Sequence, residues 1–66
     1  MTRAEIERRL NQYAGGGMMT AAQVAQWLGV KAVWRVKDKY LRGLPRLGNR
    51  YYNADIAESM KEKEVV

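Results

Sequence analysis

Apolar residues recur at Ile6, Leu10 and Tyr13 within a charged stretch. This i, i+4, i+7 spacing is that of a single helical stripe. The pattern predicts a helix from Thr2 to Ala14, opened by a capping box at Thr2-x-x-Glu5 and supported by a Glu5–Arg9 pair one turn apart. Gly15-Gly16-Gly17 ends it, because glycine adopts the positive φ of a helix stop without penalty. No Lys-Ser/Thr follows these glycines, as a phosphate-cradling loop would need. After Met18 and Met19 a second capping box, Thr20-x-x-Gln23, opens a short helix from Ala21 to Leu28. Val24, Trp27 and Leu28 lie on one of its faces, and Gly29 stops it. A third helical run extends from Val30 to about Leu41. Gly43-Leu44-Pro45 breaks it, since proline disfavours helix in the residue before it.

The period then changes. Leu44 to Leu47 and Arg50 to Tyr52 read as two extended runs around Gly48-Asn49, a pair that suits a type II′ hairpin turn. A two-residue loop sets Leu47 against Arg50 and Arg46 against Tyr51. A three-residue loop pairs Leu47 with Tyr51 instead, and the pattern leaves both registers open. Asn53 is the expected N-cap of a last helix, Ala54 to about Lys63, with Asp55 near its positive end and Ile56 and Met60 as its apolar contacts. Val65-Val66 is expected to fray.

This order is a mostly α chain with a small β-hairpin: three to four short helices and a two-stranded ribbon, a winged helix-turn-helix. Residues 1–17 form an N-terminal helix and glycine joint, and residues 18–66 the winged unit. On a helical projection of the third helix, Val33, Val36 and Tyr40 share one side. Lys31, Arg35, Lys39 and Arg42 fall nearly opposite, with Trp34 and Leu41 between. Trp34 is expected to seal the edge of the core. Ala25 permits close helix crossing and Gly29 lets the chain reverse. The hairpin carries Arg46, Asn49 and Arg50 near its tip, and at least one of Tyr51 and Tyr52 anchors its base.

Charge sharpens this picture. Residues 31–50 hold Lys31, Arg35, Lys37, Lys39, Arg42, Arg46 and Arg50 against Asp38, seven bases to one acid, or +6. The remainder, five bases and six acids, is −1, and together they make the chain's +5. A solvated face normally mixes signs, so this segment points to a polyanion. Four cations along one helix side suit a helix laid in a DNA major groove. Arg46, Asn49 and Arg50 would reach a phosphate or an adjacent minor groove.

Composition limits the alternatives. In 66 residues there is no Cys and no His, hence no disulfide, no Cys/His zinc set and no base–nucleophile pair. No enzyme, metal or cofactor is expected. No run approaches the roughly 20 apolar residues of a membrane span, and the charged N-terminus lacks a signal-peptide core; a soluble cytoplasmic protein without membrane contact is expected. A protein-interaction adaptor is the competing class, with the basic segment on an acidic partner and the apolar stripe of the first helix as interface. RNA binding ranks behind it, because it calls for an exposed aromatic platform.

The stretch TAAQVAQWLGVKAVWRVKDKYLRGLPRLGNRYYNADIAESM, residues 20–60, resembles the excisionase-like winged-helix proteins of phages and mobile elements. Their fold is similar to the DNA-binding part of mercury-resistance-type regulators. The resemblance is carried by Thr20, by Val24-Ala25-x-x-Leu28-Gly29-Val30 and by Leu47-Gly48-x-Arg50-Tyr51. It implies non-catalytic, sequence-specific binding to double-stranded DNA beside the sites of a tyrosine- or serine-type integrase, bending of that DNA, and self-association along it. A small prophage transcriptional regulator is the neighbouring implication. Two positions depart from the family pattern. Lys31 stands where a Ser or Thr usually caps the third helix, and Arg35 where a core aliphatic usually lies. Either the turn is one residue longer here or the helix is rotated. The helix from Thr2 to Ala14 lies outside the pattern and is expected to be a packing addition or a dimer contact; it and the charged tail from Lys61 to Val66 are the candidate contact surfaces.

Overall fold

The computed structural model describes residues 2–63. Val65-Val66, expected to fray, and the end of the 61–66 tail lie outside the described residues. Both capping boxes form. In α1 (Arg3–Ala14), the Thr2 hydroxyl accepts from the Glu5 amide and the Glu5 carboxylate accepts from the Thr2 amide. In α2 (Ala21–Leu28), Thr20 and Gln23 exchange the same two bonds. Gly29 closes α2 at φ 75°. A Cβ built there meets nothing within 4 Å, so the glycine is required by its left-handed backbone and not by space.

Between the glycines and α2 lies an element the sequence pattern did not announce. Met18–Thr20 forms β1, and it pairs antiparallel with β3 (Arg50–Tyr52), which also pairs with β2 (Arg46–Leu47). The wing is thus a three-stranded sheet of order β1-β3-β2. Leu47 lies opposite Arg50 and Arg46 opposite Tyr51, which selects the two-residue loop, with Gly48 at φ 65°. Since side chains alternate across a sheet, Met19, Tyr51 and Arg46 share one face. Thr20, Arg50 and Leu47 share the other. Met19 and Tyr51 are buried, so the first face is turned to the core.

The third helix starts later than its pattern suggests. After Ala32, which makes no side-chain cap, α3 (Val33–Val36) runs directly into a π-helical segment, Lys37–Leu41. Lys31 therefore lies in the turn before the helix and not on it. Arg35 is exposed and Val36 buried: the apolar position falls one residue after the place the resemblance assigned it. The wider winding has a packing consequence. With i→i+5 bonding, Val36 and Leu41 come one turn apart, and Tyr40 and Leu41 are buried side by side. Leu41 joins the core in this way instead of lying between faces. Ser59 donates its hydroxyl to the Tyr40 carbonyl at 2.6 Å, which meets the hydrogen-bonding need of that irregular winding.

One core joins all the elements. Ile6 and Leu10 of α1, Met19, Val24, Leu41, and Ile56 and Met60 of α4 (Asn53–Glu62) are fully buried or nearly so. Helix α1 packs along α4 more extensively than any other pair of elements. Ile6 and Leu10 of its apolar stripe are consumed in the core, while Tyr13 is exposed and donates its hydroxyl to the Gln26 side chain at 2.9 Å. Asn53 departs from its expected role. The position before α4 is Tyr52, which offers no side-chain cap, and Asn53 begins the helix. Its side chain is fully buried and donates to the Asn11 side chain at 2.8 Å and to the Gly16 carbonyl at 3.0 Å, while its amide donates to the Gly17 carbonyl. It clamps the glycine loop to α4. Position 53 cannot both cap the helix and reach α1, and its side chain goes to Asn11 and the Gly16 carbonyl.

Candidate nucleic-acid interface

The cations of residues 31–50 are all exposed. They reach the surface from three different local structures. Lys31 belongs to the turn and lines a hollow with Gln26, Gly29 and Val33. Arg35, Lys37 and Lys39 project from the third helix. Arg42 follows its last turn, and Arg46, Asn49 and Arg50 belong to the wing. Among the described residues the ion pairs are Arg3–Glu7 at 3.1 Å and Asp38–Arg42 at 3.5 Å. The second is largely solvent-exposed on both sides and holds Arg42 weakly. The other cations of the segment have no carboxylate partner among the described residues.

An open groove of about 680 Å³ runs between the third helix and the wing. Trp34, Lys37, Asp38, Arg42 and Arg46 stand on its walls, with Leu41 and Tyr51 beneath, so three cations face one carboxylate there. Lys37 and Arg46 also bound a second hollow of about 250 Å³, whose lining includes Asn49, the first turn of α2 at Ala21 and Ala22, and the apolar Val33 and Tyr51. The amides of a first helical turn have no intrahelical acceptor, and Thr20 satisfies the third of them. Two ammonium or guanidinium groups, a side-chain amide and a helix start thus border the same hollow.

The structure gathers Lys37, Arg42, Arg46 and Asn49 around these two hollows. Arg50 lies on the other face of the sheet, beside Leu47, and lines neither. Arg35 and Lys39 each cover a neighbouring ring: the Arg35 guanidinium is 5.4 Å from the centroid of Trp34, and the Lys39 ammonium 5.2 Å from that of Tyr40. Tyr51 is buried as the anchor of the wing, whereas Tyr52 is 44% exposed.

Trp34 corrects an expectation. It does not seal the core edge; it is 66% exposed. The core side of the helix is filled by Val36, Tyr40 and Leu41, and the indole stands at the rim of the groove beside them. Its position between the two faces of the helical projection was the only signal in the sequence. The α2 first turn was also missed as part of the basic surface, because its apposition to Lys37 and Arg46 is purely tertiary.

Compared with protein-family models, with curated proteins and with solved structures, the chain matches none. No helix among the described residues is long and apolar enough to cross a membrane.

Proposed function

We propose that the chain is a non-catalytic, sequence-specific binder of double-stranded DNA, acting in the cytoplasm. The role we assign it is that of an excisionase, which binds and bends DNA beside integrase sites and steers a tyrosine- or serine-type integrase toward excision. The observation that carries the DNA reading is the groove between the third helix and the wing. Lys37, Arg42 and Arg46 stand on its walls, and of these only Arg42 has a carboxylate partner among the described residues. On this reading the third helix enters the major groove, the wing lies beside it, and the cations neutralise phosphates along both. The resemblance of residues 20–60 to excisionase-like proteins supplies the more specific role.

A module of this size buries about 600–1,000 Å² against DNA and reads few base pairs alone. Function then calls for a second copy on adjacent DNA or for the recombinase itself. A small prophage transcriptional regulator would use the same interface. An adaptor would have to rely on the basic segment, because Ile6 and Leu10 of the first helix's stripe are fully buried.

Salt titration of duplex binding is the test. Neutralising about four to six phosphates predicts a slope of log K against log[salt] of roughly −4 to −5. A slope near zero, or no duplex binding at low salt, would remove the DNA reading.

A further inference from the structure

Trp34 is the most puzzling side chain on the surface. Tryptophan buries about 150–250 Å² when it is covered, yet here the ring is 66% exposed in the first turn of the third helix. It shares the groove with Lys37, Arg42 and Arg46, and with Asp38 as the one acid of the lining. The Arg35 guanidinium lies 5.4 Å from its centroid, near enough for cation–π attraction that limits where the fork points. An apolar ring and a partly preset arginine therefore stand side by side on one helical turn.

The first-turn residues of a helix in the major groove are those that reach base edges. The edges there present one apolar group, the C5 methyl of thymine, and one acceptor pair matched to an arginine fork, guanine O6 and N7. We infer that Trp34 is a specificity-determining residue that covers a thymine methyl while Arg35, stacked against it, reads a neighbouring guanine. The inference rests on the duplex-DNA reading of this surface and adds to it the chemistry of the step recognised. A step of thymine followed by guanine is also among the more deformable in DNA, which suits a protein that bends its site.

The experiment uses a duplex selected from a random pool by the full chain. The same duplex is then made with deoxyuridine in place of every thymidine, which removes only C5 methyl groups. The full chain is expected to bind the thymidine duplex about fourfold more tightly, the worth of one buried methyl. Trp34→Ala is expected to bind both duplexes equally. Because the ring is mostly exposed, this variant should keep its thermal midpoint, and comparing the two proteins on the two duplexes isolates the pairwise contribution. Equal affinity of the unaltered chain for both duplexes would overturn the inference and leave DNA binding standing. Thymidine preference that persists in Trp34→Ala would also overturn it, since the methyl is then read elsewhere. Failure to select any duplex would overturn the DNA reading and this inference with it.

Discussion

The two sides of this small domain are built on opposite principles. Where α1 meets α4, Ile6, Leu10, Ile56 and Met60 are fully buried, and Asn53 fixes the glycine loop through two side-chain bonds. Where the third helix meets the wing, the helix changes winding, β2 is two residues long, Trp34 and Leu47 are each 66% exposed, and like charges gather around open hollows. Clustered cations repel one another, and side chains left mostly in water bury little area, so both contribute little to folding. A chain of this length has little stability to spare. The contrast teaches that the helix that looks dispensable, α1, stabilises a surface that does not stabilise itself.

The strongest way to break the comparison is Leu10→Ala. It is expected to cost about 2–5 kcal/mol, enough to leave much of so small a domain unfolded, as chemical denaturation would register. Removal of residues 1–17 takes away Ile6 and Leu10 together and is expected to abolish the cooperative transition. A truncated chain that still melts cooperatively would show that the winged unit needs no support from α1.

Asn53→Ala probes the clamp. It leaves the Gly16 carbonyl and the Asn11 side chain without their donor, an expected loss of about 1–3 kcal/mol. The Asn53 Oδ1 atom has no partner in the structure, so the damage should come from the lost amide donor; Asn53→Asp, which removes that donor but keeps the shape, should be at least as harmful as alanine in thermal unfolding. A milder effect from Asp would place the worth of the residue in packing.

Lys37→Ala and Arg46→Ala address the other side. Each should leave stability within about 0.5 kcal/mol of the parent, as surface changes usually do. Each should also weaken duplex binding and reduce the magnitude of the salt slope by about one. Arg50→Ala should weaken binding to all sequences alike, as a contact to phosphate does. A variant that lost stability instead would show the groove to be part of the core.

The smallest effect concerns acid. The backbone hydrogen bond from Thr2, with that from the Thr2 hydroxyl, holds the Glu5 carboxyl below its usual value of 4.5. A lowered folded-state value means that the carboxylate's contribution is in place above 4.5 and fades as pH falls through the lowered value. Glu5→Gln should therefore reduce the acid sensitivity of α1, read by circular dichroism between pH 5 and 2 (about the range of a carboxylate titration), while the rest of the domain titrates as before.

What was legible in the residues was local. Thr2 with Glu5 and Thr20 with Gln23 mark helix starts because their bonds span three residues. Gly29 marks a stop because the penalty for other side chains at positive φ is intrinsic to the backbone. Gly48-Asn49 marks the hairpin for the same reason, and the clustering of charge over residues 31–50 needs no fold to be seen. Tertiary structure decided the rest. Met18–Thr20 is a strand only because β3 offers it an edge about 30 residues away. Asn53 turns inward because its acceptors, Asn11 and the Gly16 carbonyl, lie 42 and 37 residues distant. The π winding of Lys37–Leu41 follows from the need to bury both Tyr40 and Leu41 against a core that other elements supply. Trp34 is left in solvent because that same core is already full, and no local pattern can state where a core ends.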